Sequence, residues 1–212
     1  MKWKAVIFDR DGTLFDSLPV ILRAFNYGIE PFVTTMPTDE QWFAAFGPDE
    51  PEVMGVFIDA KHKQQAYERF FRYYRDHFHE ISLFPGMRKV IENLHQNGVK
   101  LALFTGAGKE TAEYCLEKEG ILQYFSELVT GDVVTNPKPD PEGIYKAMKA
   151  LNCQPSETII VGDSGSDVLA GQAAGATTVL VRWGGLVPPH DLPSKPDYTF
   201  TTVHEFDEFL FL

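Results

Sequence analysis

Two acidic residues follow the first apolar run of the chain. Asp9 and Asp11 come after Val6-Ile7-Phe8 and precede Gly12. Ligands of open α/β sheets collect at the carboxyl ends of strands, and a spacing of two residues directs both side chains to one side of a regular strand, although a turn at Gly12 can redirect the second. Two neighbouring carboxylates suit a hard cation or an acid/base pair. Taken alone, the pattern equally allows aspartates that only cap a turn.

Three later strand ends carry further polar residues. Thr105-Gly106 follows Leu-Ala-Leu-Phe, Lys138 lies in Asn-Pro-Lys-Pro, and Asp163 and Asp167 lie in Val-Gly-Asp-Ser-Gly-Ser-Asp. Each has a purely structural explanation, because threonine and aspartate favour helix starts and lysine is commonly solvated in a turn. Together they supply a nucleophile, a hydroxyl donor, a cation and metal-binding carboxylates, which is the equipment for phosphoryl transfer.

The elements that must position these residues alternate between strands and helices. Short apolar runs predict buried parallel strands at Lys4 to Phe8, Lys100 to Phe104, Glu127 to Val129, Thr158 to Val161 and Thr177 to Val181. Helical periodicity appears between them at Gly86 to Asn97, Lys109 to Glu119, Pro141 to Leu151 and Asp167 to Ala174. This alternation predicts an α/β fold with a doubly wound parallel sheet.

The interval from Phe15 to Phe84 contains no convincing strand, yet it stays rich in apolar and aromatic residues. It is too long for an ordinary loop, and Pro19 to Tyr27, Glu40 to Phe46 and Gln65 to Phe78 read as amphipathic helices. We therefore predict an α/β core formed by residues 1–14 and 85–212 and a small helical cap inserted at residues 15–84. The aromatic residues of the third helix are expected to form the insert's own core.

The amino-acid composition argues against several classes of binding partner. Of 212 residues, 44% are apolar and 23% charged, and 30 acidic against 19 basic residues give a net charge of −11. Such a field repels polyanions, so we expect no nucleic acid partner, and no apolar run is long enough for a membrane span. The two cysteines, Cys115 and Cys153, indicate neither a disulfide framework nor a zinc site, which favours the reducing cytoplasm. The oligomeric state is not determined by the sequence.

The ordered motifs resemble the haloacid dehalogenase-like (HAD) hydrolase superfamily. Asp9 to Thr13 matches its first motif, Thr105 its second, Lys138 its third, and Gly162-Asp163 with Asp167 its fourth. Pro85-Gly86 and the helical insert after the first motif resemble the phosphoglycolate phosphatase-like branch. The resemblance implies a Rossmann-like core and spans Val6 to Asp167. Arg10 departs from the apolar residue common between the two motif aspartates, and strand alternation predicts that it points away from the metal.

The same resemblance implies a role for each motif residue. Asp9 would attack phosphorus to form an aspartyl-phosphate, and Asp11 would act as general acid and then general base. Mg²⁺ would lie between Asp9, the backbone carbonyl of Asp11, and Asp163.

Further residues would bind the transferred group. Thr105 and the Gly106 amide would hold phosphoryl oxygens, and Lys138 would neutralise their charge. Asp167 would either bind the metal or position Lys138 and water, and a simple helix-start role is the structural alternative. Ser164 is expected to cap the following helix.

The implied function is a Mg²⁺-dependent phosphatase for a small phosphorylated metabolite of the phosphoglycolate or sugar-phosphate type. A phosphosugar mutase can use the same residues, with a sugar hydroxyl replacing water as the acceptor. A non-catalytic phosphate-binding regulatory protein is the alternative from another class. The sequence does not identify the substrate. Arg23, Asn26 and His62 are candidate contacts to it, and each could equally lie on a solvated face.

Overall fold

A central sheet of six parallel strands organises the computed structural model, which describes residues 2–184 and 194–211. The strands of this sheet are β1 (Ala5–Phe8), β4 (Lys100–Phe104), β5 (Phe125–Val129), β6 (Thr158–Gly162), β7 (Thr177–Val181) and β8 (Tyr198–Phe200). Their spatial order is β5-β4-β1-β6-β7-β8, so β1 lies between β4 and β6. The prediction of a doubly wound parallel sheet is therefore confirmed. Residues 1, 185–193 and 212 of the predicted core lie outside the described residues.

Helices lie between most of these strands along the chain, and one follows the last strand. The α-helices are α1 (Leu18–Ile29), α2 (Asp39–Ala45), α3 (Glu50–Gly55), α4 (Lys63–Asp76), α5 (Met87–Gln96), α6 (Lys109–Lys118), α7 (Glu142–Leu151), α8 (Gly165–Ala173) and α9 (Val203–Leu210). Short 3₁₀ turns occur at Glu30–Phe32, Ala60–His62, Phe78–Glu80, Leu122–Tyr124, Gly131–Val133 and Pro155–Glu157. None of the helices in the described ranges is long and apolar enough to cross a membrane.

The residues of the inner strands are mostly apolar, because both faces of the sheet are covered. All four residues of β1 are fully buried. Val6 and Phe8 pack in one apolar cluster and Ile7 in another, as the alternation of side chains along a strand requires. Such strands read as continuous apolar runs, which is why the sequence located them well.

The prediction of no strand between Phe15 and Phe84 is wrong at both ends of that interval. β2 (Phe15–Asp16) pairs antiparallel with β3 (Ser82–Leu83), and this two-residue ladder lies where the chain enters and leaves the helical segment. Two residues are too few to show a strand periodicity. The sequence also missed α3, β8 and α9, which are all short. The exact division at residues 14/15 and 84/85 stays a prediction.

Helices α1 to α4, here called the helical insert, share an aromatic core. Phe25 of α1 packs against Phe70 of α4 with ring centroids 4.7 Å apart, and against Trp42 of α2 at 4.9 Å. The indole Nε1 of Trp42 donates to Asn26 Oδ1 over 2.9 Å, so the one polar atom of this buried ring is satisfied. The aromatic residues of α4 thus stabilise the insert, as expected.

Candidate active site

The predicted site residues meet at the carboxyl edge of the sheet. Asp9 follows β1, Thr105 follows β4 and Asp163 follows β6, so three adjacent strands end at one place. A cavity of about 440 Å³ lies between this edge and the helical insert. The predicted site residues all line it: Asp9, Asp11, Thr105, Gly106, Lys138, Asp163 and Asp167.

Lys138 joins two of the aspartates. Its Nζ donates to Asp9 Oδ1 and to Asp167 Oδ1, each over 2.6 Å. The three side chains are only 5 to 11% exposed. Burial lowers the pKa of Lys138, but Asp167 and Asp9 outweigh this and raise it, so the amine stays charged. The alternative of a solvated turn lysine is thereby excluded.

Asp9, Asp163 and Asp167 form a carboxylate cluster. One oxygen from each lies within 4.8 Å of the others. Burial raises the pKa of both Asp9 and Asp163, and the neighbouring carboxylates raise it further. Repulsion of this kind is relieved by a cation, and clustered carboxylate oxygens are the donors that Mg²⁺ prefers. The residues present therefore fit a magnesium ion.

Two glycines allow this cluster to form. Gly12 has φ +76°, and a Cβ there would overlap the Asp163 carboxylate, while a Cβ at Gly162 would overlap the Asp167 side chain. A side chain at either position would push a carboxylate out of the cluster. These glycines are required by close approach, and Gly12 also by its left-handed backbone.

Asp11 is held apart from that cluster by its own partners. Its Oδ2 accepts from Arg10 Nε at 2.9 Å and forms an ion pair with Arg10 Nη2 at 2.7 Å, while its Oδ1 accepts from Ser17 Oγ at 2.5 Å. Arg10 is 1% exposed, and its guanidinium group binds Asp11. The carboxyl of Asp11 is thus oriented in the cavity beside Asp9, whose pKa it raises.

Asp167 serves the start of α8 and the cavity at once. Its Oδ2 accepts from the backbone N–H of Ser164 at 3.1 Å and from Ser164 Oγ at 2.5 Å, and Ser164 Oγ in turn caps the helix. Its Oδ1 holds Lys138. The structural role and the positioning role therefore coexist, one on each oxygen.

Thr105 and Gly106 form a tight turn beneath the insert. Thr105 Oγ1 accepts from the Ala107 N–H at 3.1 Å, so it shapes this turn, while α6 begins later, at Lys109. A Cβ at Gly106 would lie 2.7 Å from the Gly47 carbonyl oxygen of the insert. The loop before α3 thus approaches the turn after β4 backbone to backbone.

Sequence reasoning missed Glu50, which links the insert to this turn. Glu50 is 4% exposed, and its Oε2 accepts from the Gly108 N–H at 2.8 Å. Burial raises its pKa, and nearby Arg10 acts in the opposite sense. Glu50 is separated from both partners by many residues, so no local pattern could have identified it.

The candidate cap contacts lie elsewhere. Arg23 pairs with Glu80, Asn26 binds Trp42, and His62 stacks on Phe32 with centroids 4.6 Å apart. None of the three lines the cavity in the part of the chain that the structure describes.

Comparison with known proteins gives a consistent result. The model of the family described as haloacid dehalogenase-like hydrolase matches residues 6–181. The chain is 29% identical to pyrophosphatase PpaX of Bacillus mycoides, over 97% of this chain and 95% of that protein. A predicted phosphoglycolate phosphatase from Haemophilus somnus superposes with a TM-score of 0.84 at 22% identity, covering 99% of both chains. CbbY from Rhodobacter sphaeroides, solved with phosphate, gives 0.81 at 24% identity over 93% of each chain.

Proposed function

Because this chain belongs to the haloacid dehalogenase-like hydrolase family, we propose that it is a Mg²⁺-dependent phosphatase that hydrolyses a small phosphorylated metabolite through an aspartyl-phosphate. The chain is thus a hydrolase. The observation that carries the finer proposal is the contact of Lys138 with Asp9 inside a cavity that also holds Asp11, Asp163 and Thr105. Relatives named pyrophosphatase and phosphoglycolate phosphatase support a phosphorylated substrate.

Asp9 and Asp11 divide the chemistry between them. A carboxylate oxygen of Asp9 attacks phosphorus, the ester bond to the leaving group breaks, and Asp11 gives its proton to the departing alkoxide. Asp11 then takes a proton from water, which attacks the same phosphorus and releases phosphate and free Asp9. Arg10 and Ser17 hold Asp11 in one orientation during both steps.

Magnesium would be held by the carboxylates of Asp9 and Asp163 and by the backbone carbonyl of Asp11. When bound, it offsets the negative charge shared by the carboxylates and the phosphoryl group. The Asp163 backbone carbonyl accepts from Arg182 Nη1, which fixes the loop that presents the Asp163 side chain.

The remaining residues bind and neutralise the transferred group. Lys138 supplies a buried positive charge to the phosphoryl oxygens, and Thr105 with the Gly106 amide donates hydrogen bonds to them. Asp167 positions Lys138 rather than reacting itself. The helical insert, which belongs to the predicted cap of residues 15–84, covers the cavity, excludes water and contacts the leaving group.

The test is phosphate release by the purified enzyme over a panel of phosphorylated metabolites, with and without Mg²⁺. We expect turnover that Mg²⁺ supports and that Asp9→Asn abolishes. Asp59→Asn is the matched control, because Asp59 is 76% exposed and lies outside the cavity. Undiminished activity in Asp9→Asn would refute the nucleophile. Isomerised sugar phosphate without free phosphate would identify a mutase, and phosphate binding without turnover would identify a regulatory protein.

A further inference from the structure

The wall of the cavity opposite the sheet edge is apolar. It is formed by side chains of the helical insert: Leu18, Ile21, Phe25, Phe43, Phe46 and Val53. Phe43 and Phe46 are half-buried and meet edge to face at 5.6 Å, so their rings present apolar surface to the cavity. Since phosphorus must lie beside Asp9, this wall faces the leaving group.

The charges of the cavity are predominantly negative. Beyond the aspartates of the sheet edge, the insert contributes two carboxylates, Glu40 and Glu50. Within the described ranges, the lysines and arginines that line the cavity are Arg10 and Lys138. The sequence of residues 185–193 contains no lysine or arginine.

Both cations already have acidic partners. Lys138 binds Asp9 and Asp167 and lies at the phosphoryl end. Arg10 binds Asp11 through Nε and Nη2 and lies near buried Glu50. An anionic leaving group would therefore lose its hydration against phenylalanine rings and carboxylates, without an uncompensated cation to replace the water.

We propose that the substrate is a phosphate monoester of an uncharged, apolar alcohol, and that Phe43 and Phe46 bind its hydrocarbon part. This inference rests on the proposed phosphatase function and narrows its leaving group. It disfavours pyrophosphate and phosphoglycolate, whose leaving groups carry negative charge. The atom that could oppose it is Arg10 Nη1, which has no hydrogen-bond partner among the described residues.

Three esters of primary alcohols separate charge from chemical reactivity: n-butyl phosphate, aminoethyl phosphate and phosphoglycolate, with pyrophosphate as the fourth compound. We expect kcat/KM for n-butyl phosphate to exceed each of the others by at least about tenfold, the discrimination that a few methylene contacts provide. Preference for phosphoglycolate or pyrophosphate would overturn the inference and assign Arg10 Nη1 to the leaving group. Preference for aminoethyl phosphate would overturn the inference and indicate that the carboxylates of the cavity bind a cationic leaving group.

A pair of lysine variants tests the wall itself. Phe43→Lys places a cation in the cavity, whereas Val56→Lys adds the same charge at a position that is 65% exposed. We expect Phe43→Lys to reduce the preference for n-butyl phosphate over phosphoglycolate by about tenfold or more, and Val56→Lys to leave it unchanged. Equal ratios in folded Phe43→Lys and wild type would contradict the assigned contact.

Binding measurements test this inference independently of the proposed phosphatase function. Pentylphosphonate and phosphonopropionate imitate the butyl and glycolate esters and are not hydrolysed. Calorimetry in the presence of Mg²⁺ should show tighter binding of pentylphosphonate by wild type. If no ester is hydrolysed but pentylphosphonate binds more tightly, the phosphatase function fails while the apolar site stands. Tighter binding of phosphonopropionate refutes the apolar site whatever the turnover.

Discussion

Lys138 is the residue on which the charge balance of the site depends. Its Nζ lies 2.6 Å from an oxygen of Asp9 and of Asp167, and all three side chains are nearly buried. Removing a buried cation from between two carboxylates leaves their charges uncompensated, and the same cation is available to a phosphoryl group. Its loss should therefore affect stability and turnover together.

Lys138→Ala should lower kcat by about 10²- to 10³-fold, the usual effect of removing one stabilising group from a transition state. Without Mg²⁺ it should also lower the free energy of unfolding by about 3 kcal/mol, because buried carboxylates lose their partner. Urea unfolding and phosphate release measure the two effects. Lys109→Ala is the control, since Lys109 is 61% exposed and should change stability by less than about 1 kcal/mol. Equal stability of the two variants would contradict the buried ion pair.

The motif residues could be predicted because their chemistry and their place at strand ends are both local properties of the sequence. The environments of Arg10 and Glu50 could not. The sequence predicts only that Arg10 points away from the metal, and it does not show that Arg10 is buried and binds Asp11. The sequence analysis did not single out Glu50, because only the packing of the insert on the turn after β4 buries it.

At the scale of elements, the start of α7 organises the loop that carries Lys138. Glu142 accepts from the backbone N–H groups of Thr135 and Asn136 at 2.9 to 3.2 Å and pairs with Lys146 at 2.7 Å. The Lys146 contact and the two N–H groups lower the pKa of Glu142 to about 2. One carboxylate thus connects the helix to the preceding loop.

Glu142→Gln should reduce the free energy of unfolding at neutral pH, because the folded state binds the charged carboxylate more strongly than the unfolded state does. Folding lowers the pKa of Glu142. The contribution of this carboxylate to the free energy of unfolding is therefore complete at pH values above its unfolded pKa near 4.5, and it is lost as the pH falls toward about 2. Urea unfolding of both proteins across that range should show the difference shrinking with acid. A difference independent of pH would contradict the assigned hydrogen bonds.

The contact between α3 and the start of α6 gives a second prediction for the elements. Glu50→Ala should cost about 1–3 kcal/mol, because the buried Gly108 N–H loses its acceptor. Glu52→Ala, on the same helix but 61% exposed, should cost less than about 1 kcal/mol. Thermal or urea unfolding compares the two. If both variants unfold alike, Glu50 does not hold the insert against the sheet edge.

The elements were predictable in proportion to their length and burial. The five longer strands of the sheet read as apolar runs and the long helices carry clear periodicity, and the predicted bounds fall within a few residues of those observed. β2 and β3 are two residues each, and β8 is a three-residue edge strand that is partly exposed. Their formation depends on pairing with distant partners, and a local pattern does not contain that information.

At the scale of the whole molecule, the helical insert approaches the sheet edge directly through backbone atoms. Gly106 and Gly131 both lie against the loop before α3, and a Cβ at Gly131 would lie 2.9 Å from the Asp49 nitrogen. Gly47 and Gly106 line the cavity, so this approach forms part of the cavity wall. The chain as a whole carries a net charge of −11, so the local cations and bound metal must capture an anionic substrate.

Gly106→Ala keeps the amide that would bind phosphate but introduces a Cβ 2.7 Å from the Gly47 carbonyl. We expect the two loops to separate and kcat/KM to fall by about 10²-fold, as small displacements of catalytic groups do. Gly108→Ala is the milder control, because its Cβ meets only the Glu50 carboxylate, at 3.0 Å. Steady-state kinetics of folded variants measure the effect. Wild-type kinetics in Gly106→Ala would show that closure does not depend on this approach.

The central claim is that Asp9 becomes phosphorylated, and the most direct measurement is the mass of the Asp9 peptide. Asp11→Asn should form the intermediate from p-nitrophenyl phosphate, whose leaving group departs without a proton, but should break it down slowly for lack of a general base. Acid quenching, digestion and mass spectrometry should then show one phosphoryl group on the peptide containing Asp9, and none when Asp9→Asn is added. Phosphate release by folded Asp11→Asn with that peptide unmodified, or a phosphoryl group that persists in the double variant, would contradict the account.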